Sequence, residues 1–397
     1  MRKYIALLTL FLGSSLWLTS LHANELRFGF TGPLSGPNAF VGEHMSQGIE
    51  LGFAHINQQR ALSYKLTLVK RDDHYEPQRT VEQVNRLVLD DNVSAFIGSI
   101  GTPTALTVLP LLETYQLPLI APFSGASALK TARAEPYIFH TRAGYQDEIQ
   151  VLANTIVEDY GIAPQDIAVY VQKDSFGESS LRHLVHSLEP YGLNSAHDLL
   201  QLYHRRNAIA AEHAVANILA RPTPPKAVFL FTTYVAAGEL ISLMHEVGMD
   251  PIFAALSVVN IKPLLHQLED QPSRVLTSQV TPSLDLASST LAQQFKLDLD
   301  FFMPTMAPSS LAFEGYIAGR MMGRLLQQHS PDTVPSSQSL LDYLKQPLSW
   351  DIGDHEFYFY AGLEQANHTL WLQWIEDNQT THLGRHTPLN SEVHHEP

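Results

Sequence analysis

Short apolar runs rich in β-branched and aromatic residues alternate with longer amphipathic stretches along most of the chain. The short runs have the composition of buried strands, and they predict strands at 26–30, 64–73, 94–99, 117–123, 166–172, 227–233, 251–256 and 274–280. The longer stretches predict helices at 41–59, 77–90, 103–115, 145–159, 177–190, 207–220, 235–247, 287–302 and 309–329. Strands that alternate with helices in this way indicate an α/β fold with parallel sheets covered on both faces.

These units fall into two groups, one before about Arg142 and one from about Ala143 to Ser273. A chain of 397 residues is also longer than a single hydrophobic core usually supports. The sequence therefore predicts two similar Rossmann-like lobes. The polar tail 386–397, HTPLNSEVHHEP, is expected to be disordered.

The N-terminus has the pattern of a cleaved secretory signal peptide over residues 1–23. Arg2 and Lys3 precede an apolar run, 4–18, and Ala23 is a small residue before a polar stretch. The alternative is a membrane anchor, but the run is shorter than the ~20 residues that a spanning helix needs. The chain contains no cysteine, which excludes disulfides, thiolate metal sites and a lipidated cysteine. We expect a periplasmic protein that is not a lipoprotein.

The charge of the chain narrows its range of partners. The formal net charge is -15, whereas nucleic acids and anionic membrane surfaces require a basic face. Outside the N-terminus no stretch is long and apolar enough to cross a bilayer. We therefore expect neither nucleic-acid binding nor direct insertion in a membrane.

A glycine-rich loop, FGFTGPLSGPNAFVGE, follows the first predicted strand. Its glycines are Gly29, Gly32, Gly36 and Gly42, and no lysine follows any of them. This spacing matches neither the dinucleotide nor the P-loop pattern, so we do not predict a phosphate site here.

Two first-lobe loops at predicted strand ends offer hydrogen-bond donors. In open α/β sheets, ligands bind beyond the carboxyl ends of the strands. In GSIGTPTAL, Thr102 is a natural helix cap, so Ser99, Gly101 and Thr102 predict a site for a carboxylate or another acceptor-rich group. In APFSGASAL, Phe123 offers an apolar wall beside Ser124 and Gly125. Helix capping and tight turning are the alternative explanation for each loop.

The second lobe offers aromatic residues at its strand ends. Tyr145, Phe176 and Tyr234 occupy such positions in RAGYQDE, QKDSFGES and FTTYVAAG. They are candidate ligand contacts, although aromatic residues at these places also serve packing. Asp174, just before Phe176, is explained equally well as a helix cap.

The sequence offers no catalytic motif. There is no G-x-S-x-G elbow and no H-E-x-x-H zinc motif. His183 and His186 share a helix face, but a chance pair is expected among 19 histidines. We predict that the protein is not an enzyme and uses no cofactor or metal.

Six ordered segments resemble a known family. They include GPLSGPNAFVGEHMSQGIELGFAHIN, LVKRDDHYEPQRTVEQVNRLV, FHTRAGYQDEI and SSLAFEGYIAGRMM, together with the two donor loops and AVYVQKDSFGESSL. From about Leu26 to about Leu348 the chain resembles the type I periplasmic solute-binding proteins of the leucine/isoleucine/valine-binding family, which serve ABC importers.

The resemblance implies two lobes joined by three hinge crossings, near Arg142, Val280 and Ser349. The first lobe would comprise 24–142 plus 280–348. The second would comprise 143–279 plus 349–385. The ligand would lie in the cleft between them.

Site residues are implied position by position. The carboxylate-holding positions fall on Ser99 and on Phe123, Ser124 and Gly125, with Thr102 beside them. Aromatic contacts fall on Phe176 and Tyr234, and Phe40 belongs to the family's first cleft loop.

One position departs from the family. Where amino-acid binders carry an acid that holds the ligand's ammonium group, this chain has SVVN, with Ser257 at or near the position. An ammonium buried without a carboxylate would be poorly compensated. Asp147 or Glu148 could substitute, although acids at a helix start have a simpler explanation. A neutral amide, a urea-like compound or a simple carboxylate fits the loops equally well.

The sequence thus predicts a monomeric receptor that captures a small polar molecule and delivers it to the membrane permease of an ABC importer. The alternative is a periplasmic regulatory or sensory interaction protein that reuses the fold without transport. A sensor would normally carry a transmembrane helix and an output domain, and neither is evident in the sequence.

Overall fold

The computed structural model describes residues 24–269, 271, 273–284, 289–346, 348–351, 356–359, 369–377 and 379–386. The predicted signal peptide, 1–23, lies outside the described residues. So does the predicted disordered tail after His386.

The first lobe is built on a parallel sheet. Its strands are β1 Glu25–Gly32, β2 Lys65–Asp72, β3 Ala95–Ile97, β4 Leu119–Ile120 and β5 Ile138–Phe139. They lie in the order β2-β1-β3-β4-β5, and every pair is parallel. The helices between them are α1 Ala39–Gln59, α2 Pro77–Leu89 and α3 Thr102–Tyr115.

The second lobe repeats this plan. Its strands are β6 Ile167–Gln172, β7 Leu200–His204, β8 Ala227–Phe231, β9 Ile252–Ala255 and β10 Arg274–Gln279. They lie in the order β10-β9-β8-β6-β7, all parallel. The helices of this lobe are α4 Tyr145–Asn154, α5 Ser175–Leu188, α6 Glu212–Leu219, α7 Tyr234–Glu246 and α8 Ile261–Leu268.

The C-terminal part of the chain contributes to both lobes. Helices α9 Thr290–Phe302, α10 Ser310–His329 and α11 Ser337–Leu344 bury apolar side chains in the core of the first lobe. Strands β11 Leu348–Asp351 and β12 Glu356–Phe359 form a separate antiparallel pair, which contains Ser349. Strands β13 Leu370–Glu376 and β14 Gln379–His386 then extend the second sheet in antiparallel fashion beside β10.

The predicted α/β fold with two parallel-sheet lobes is confirmed. Each predicted strand and helix has a counterpart, with bounds that differ by a few residues. The sequence pattern did not predict the elements outside the simple alternation of strands and helices, namely β5, β7, α8 and all elements from α11 onward. Most of these are short or contain a breaker; α8, for example, carries Pro263.

Helices α1 and α10 pack with their backbones in contact. A Cβ atom on Gly48 would lie 2.0 Å from Ala312 O, and one on Gly315 would lie 2.3 Å from Met45 O. Real side chains do not approach backbone so closely, so only glycine fits at these two positions. The contact holds α10 against the first lobe despite its late place in the chain.

Candidate functional site

A cavity of about 40 Å³ lies between the lobes, at the carboxyl ends of strands from both sheets. This is where open α/β sheets bind ligands. The first lobe lines it with Pro33, Asn38, Val41, Tyr75, Ile100, Gly101, Thr102 and Phe123. The second lobe lines it with Tyr145, Phe176, Thr232, Thr233 and Val258.

The loop after β3 fixes one wall of the cavity. Gly101 has a φ of 100° and precedes the first residue of α3, Thr102. A Cβ atom on Gly101 would lie 2.3 Å from Cε2 of Tyr75, so glycine lets the Tyr75 ring close over the loop. The N-terminal end of α3 therefore faces the cavity with its positive dipole end.

The ring of Tyr75 is held by an unusual backbone. His74 and Tyr75 both adopt left-handed φ angles, 54° and 58°. The carboxylate of Asp72 accepts the N–H of His74 at 2.9 Å, and that of Asp73 accepts the N–H of Tyr75 at 2.8 Å. Because left-handed φ is costly for these residues, the two carboxylates stabilise a turn that places Tyr75 in the site.

Three hydroxyl groups meet beside the cavity. Thr102 Oγ1 lies 2.7 Å from Ser124 Oγ, which also accepts a hydrogen bond from the N–H of Ala126. The phenol of Tyr145 is hydrogen-bonded to Ser124, and burial raises the pKa of Tyr145, which keeps it protonated. The cluster can therefore both donate to and accept from a polar group of a ligand.

Aromatic side chains form the second-lobe wall. The rings of Tyr145 and Phe176 lie 5.2 Å apart in a tilted arrangement. Asp174 accepts the N–H groups of Phe176 and Gly177, so it is a helix cap and fixes the start of α5. The cap thereby positions Phe176 over the cavity.

The loop after β9 carries Ser257 where the resemblance implies an acid, and the nearby acid Glu148 is already engaged. Glu148 Oε2 accepts the N–H of Ser257 at 2.8 Å and the hydroxyl of Ser278 at 2.6 Å. Glu148 Oε1 lies 3.7 Å from Arg142 Nη2, which also donates to Ser257 Oγ. Glu148 is fully buried behind the site and does not line the cavity.

Arg142 is the centre of this buried charge cluster. Its Nη1 lies 3.6 Å from Glu314 Oε1, and its guanidinium stacks over Phe123, 4.7 Å from the ring centre. Burial disfavours its charge, but the carboxylates of Glu314 and Glu148 outweigh burial and raise the pKa of Arg142. Arg142 therefore stays charged, and its guanidinium packs on the ring of Phe123, which lines the cavity.

The cavity wall carries no formal charge. Among the described residues that line it, none is Asp, Glu, Lys, Arg or His. Aromatic and aliphatic side chains cover most of the surface. Its polar groups belong to Asn38, Thr102, Thr232 and Thr233 and to the phenols of Tyr75 and Tyr145. Such a wall suits a small and largely apolar molecule with few polar atoms.

The predicted site residues are distributed over three positions. Gly101, Thr102, Phe123, Tyr145 and Phe176 line the cavity. Those directly behind it are Ser124, Gly125 and Ser257.

The remaining predicted residues lie elsewhere. Ser99 Oγ accepts a hydrogen bond from Thr31 at 3.3 Å and is not part of the lining. Phe40 and Tyr234 lie against each other across the lobe boundary, with ring centres 6.3 Å apart. Tyr234 also donates to Pro37 O at 2.6 Å, so this pair bridges the lobes.

The sequence reading missed several lining residues, including Asn38, Tyr75, Thr232, Thr233 and Val258. Tyr75 follows β2 and the two threonines follow β8. The rule that ligands lie beyond strand ends points to Tyr75 once it is applied to β2. At the end of β8 the same rule selects the segment FTTYVAAG, but it does not distinguish Thr232 and Thr233 from Tyr234.

The comparisons with known proteins agree with this architecture. Residues 25–380 match the family described as periplasmic binding protein. The Leu/Ile/Val/Thr-binding protein of Salmonella typhimurium is 28% identical over 173 residues, which is 43% of this chain and 46% of that protein. The match thus spans about half the length of this curated relative.

Solved structures extend the similarity to nearly the whole chain. A possible leucine/isoleucine/valine-binding protein from Rhodopirellula baltica is 29% identical, with a TM-score of 0.86, covering 92% of this chain and 98% of that one. A substrate-binding periplasmic protein from Ralstonia solanacearum is 22% identical, with a TM-score of 0.81, covering 90% and 99%.

Members of this family are periplasmic, bind small molecules and work with ABC transporters. Within the described residues, no helix has the length and apolar character needed to cross a membrane. The fold, the cleft between the lobes and the family match lead to one conclusion. The chain belongs to the type I periplasmic binding proteins of the leucine/isoleucine/valine-binding family, which are solute receptors and not enzymes.

Proposed function

We propose that this protein is a monomeric periplasmic receptor that captures one small molecule between its lobes and delivers it to the membrane permease of an ABC importer. The observation that carries the proposal is the cavity lined from both lobes at the strand ends. The signal-like segment 1–23 supports export, with cleavage before the polar stretch that follows Ala23.

The ligand is a small molecule with an apolar body and one amide or carboxylate group, and without an ammonium group. An ammonium ion would meet an uncharged wall, because Glu148 is committed to Arg142, Ser257 and Ser278. An uncompensated buried charge is costly. A carboxylate or amide oxygen would instead meet the start of α3 and the hydroxyl of Thr102.

Binding would proceed by closure of the lobes. We infer that 24–142 plus 280–348 move against 143–279 plus 349–385, about crossings near Arg142, Val280 and Ser349. Ala143, Val280 and Leu370 pack together in a small buried cluster, which suits a shared hinge region. Closure would bring the aromatic wall of the second lobe onto a ligand held by the first.

Three compounds with closely similar carbon skeletons test the ligand class. Valine has an ammonium and a carboxylate, 3-methylbutanoate has only the carboxylate, and 3-methylbutanamide is neutral. We expect 3-methylbutanoate or its amide to raise the midpoint of thermal unfolding in a saturable way, by a few degrees near 100 times Kd. Valine should have little effect.

The outcomes separate the alternatives. Binding of valine as tight as that of the other two would contradict the exclusion of ammonium groups. If none of the three binds, and a broader library of amides, ureas, peptides and carboxylates also fails, the receptor proposal is wrong. The regulatory interaction protein would then be the better explanation.

A further inference from the structure

The wall of the proposed ligand cavity contains a buried oxygen that lacks a hydrogen-bond donor. Asn38 lines the cavity and is 4% exposed. Its Oδ1 atom is buried and has no hydrogen-bond partner among the residues that the structure describes. Buried polar atoms normally have a partner. The unpaired oxygen therefore indicates that a donor group of a ligand belongs beside it.

The hydrogen bonds around Asn38 fix which end of its amide carries this oxygen. Asn207 Nδ2 donates to Glu76 Oε1 at 2.7 Å and to His74 O at 3.2 Å. A carboxylate and a carbonyl only accept, so the nitrogen of Asn207 must face them and its oxygen must face Asn38. Asn38 Nδ2 accordingly donates to Asn207 Oδ1 at 3.1 Å. The other end of the Asn38 amide is therefore an acceptor.

A second acceptor comes from the opposite lobe. Thr232 lines the cavity, and its Oγ1 lies 2.7 Å from His204 Nε2. His204 Nδ1 lies 2.9 Å from Arg205 O, and a carbonyl only accepts, so Nδ1 carries a proton. Burial lowers the pKa of His204 to about 4, so the ring is neutral at neutral pH and Nε2 has no proton. The hydroxyl of Thr232 must then donate to His204, which leaves only its lone pairs for a ligand.

Donor groups line the same cavity. Gln172 Nε2 donates to the phenol oxygen of Tyr75 at 3.3 Å and to Asp174 Oδ2 at 2.7 Å. Burial raises the pKa of Tyr75, which keeps its phenol protonated. This proton has no other partner in the part of the chain that the structure describes. Together with Thr102 at the start of α3, Tyr75 can therefore donate to an acceptor of the ligand.

We propose that the ligand carries a neutral primary amide, and that Asn38 and Thr232 select this group over a carboxylate. The inference rests on the proposed receptor function and narrows its ligand class. The oxygen of a primary amide can accept from Tyr75 or Thr102, and its nitrogen has two hydrogens to donate. A carboxylate has no proton at neutral pH, so it would leave both acceptors without a donor and place a charged oxygen against them.

The two acceptors also couple recognition to closure. Asn38 belongs to the first lobe and Thr232 to the second, so one NH2 group can donate to both lobes at once. Their partners Asn207 and His204 lie on one short segment at and after the end of β7. A ligand that binds the closed arrangement better shifts the population toward it. A primary amide should therefore stabilise the closed form more than a carboxylate of the same skeleton.

Three pairs of compounds test the inference, each with a primary amide and a carboxylate on one carbon skeleton. They are acetamide and acetate, 3-methylbutanamide and 3-methylbutanoate, and benzamide and benzoate. Isothermal titration calorimetry of the intact protein at neutral pH gives the Kd of each compound. We expect the amide of at least one pair to bind at least about tenfold more tightly than its carboxylate, because buried acceptors left without a donor are costly.

Asn38→Leu removes the acceptor of the first lobe and keeps a side chain of similar size. The amide should bind at least about tenfold more weakly, whereas the carboxylate should not. Loss of the hydrogen bond to Asn207 acts on closure around either compound, so it does not change the ratio of the two Kd values. Asn85→Leu is the matched control, because Asn85 bonds to Val81 O within α2 and does not line the cavity. It should keep both Kd values.

A second variant covers the case in which Asn38→Leu is misfolded by circular dichroism. Thr232→Val keeps the shape of the side chain and removes the acceptor of the second lobe. It should reduce the preference for the amide in the same direction.

Two results would overturn this inference and leave the receptor proposal standing. In one, every carboxylate binds as tightly as its amide, which would mean that water satisfies the two acceptors. In the other, the preference for the amide is the same in wild type and in the folded variants. If none of the six compounds binds, the inference is also wrong, but the receptor proposal is overturned only if the broader library fails as well.

Discussion

Arg206 Nη2 of the second lobe lies 3.1 Å from Glu76 Oε2 of the first lobe. The other end of the guanidinium, Nη1, lies 3.3 Å from Asp174 Oδ2, the residue that caps α5. Asn207 Nδ2 donates to Glu76 Oε1 at 2.7 Å. Both oxygens of Glu76 are therefore held by the opposite lobe. We call Glu76, Arg206 and Asn207 the cleft latch.

Removing the charge of the cleft latch should favour the open arrangement. Arg206→Gln loses partly exposed ion pairs worth about 0.5–1 kcal/mol, which changes the ratio of open to closed forms about twofold to fivefold. Because the chain has no cysteine, spin labels can be placed at Lys65→Cys in the first lobe and Lys226→Cys in the second. Pulsed electron resonance then measures the distance between the lobes.

Arg133→Gln is the matched control for the cleft latch, since Arg133 pairs with Glu113 inside the first lobe. It should leave the distance distribution unchanged. A distribution for Arg206→Gln that matches wild type would mean that the latch contributes nothing to closure.

The hydroxyl of Thr102 should be needed for ligand affinity. Thr102→Val keeps the shape of the side chain but removes the group that contacts Ser124 at the cavity. We expect about tenfold weaker binding of the better of 3-methylbutanoate and its amide, as for loss of one buried hydrogen bond. Thr107→Val, on the same helix but bonded to Pro103 O, should bind normally. Equal affinities for both variants would remove Thr102 from the site.

Arg142 should be essential for stability. Arg142→Met leaves the buried carboxylates of Glu148 and Glu314 without their cation, and breaking a buried ion pair in this way costs about 3–5 kcal/mol. Arg71→Gln, which breaks the partly exposed pair with Asp91, should cost less than about 1 kcal/mol. Urea unfolding compares the two variants. A similarly small loss of unfolding free energy in both variants would show that the Arg142 cluster stabilises the fold no more than a partly exposed ion pair does.

Neighbouring aspartates should respond to pH in opposite ways. Burial raises the pKa of Asp73 to about 7, so the folded protein binds a proton that the unfolded chain has already lost. Stability from this group is present at acidic pH and declines as pH rises through about 7, by at most about 1.4 kcal/mol per pH unit. Asp73→Asn mimics the protonated form. Its free energy of unfolding, relative to that of wild type, should therefore rise by at least about 1 kcal/mol between pH 5 and pH 8.

Asp72 provides the contrast. Burial alone would raise its pKa, but hydrogen bonds from Ser35, Leu34 N–H and His74 N–H outweigh burial and lower the pKa of Asp72. Its contribution is therefore present at neutral pH and lost as pH falls below the usual range for aspartate. The difference in free energy of unfolding between wild type and Asp72→Asn should therefore become smaller as the pH falls. Parallel pH profiles for the two variants would refute both assignments.

The sequence was most informative where one element follows another in regular alternation. Buried strands such as β6 and β8 are continuous apolar runs, which local composition alone identifies. Strand β7 was missed because it lies at the edge of the parallel part of the sheet and exposes Tyr203, so its apolar pattern is broken. The antiparallel strands β13 and β14 depart from the alternation altogether.

At the candidate site, the sequence identified loops better than individual side chains. The loop that holds Ser99, Gly101 and Thr102 does reach the cavity, but Ser99 turns to Thr31. Which side chain of a loop faces a ligand depends on backbone angles such as that of Gly101, and composition does not specify them. The pairing of Glu148 with Arg142 could not be predicted from the sequence either, because it depends on tertiary contacts.

The contact of Gly48 with Ala312 also orders the assembly of the molecule in time. Strands β1 to β5 are synthesised first, yet the helix that packs on α1 ends only at His329. Strands β6 to β10 follow one another without interruption, so their pairings involve shorter chain loops and should form sooner. The first lobe therefore stays incomplete until α10 has been synthesised, after all five parallel strands of the second sheet. A ribosome that stalls before α10 would leave the first lobe with an uncovered helix face beside the already paired parallel strands of the second sheet.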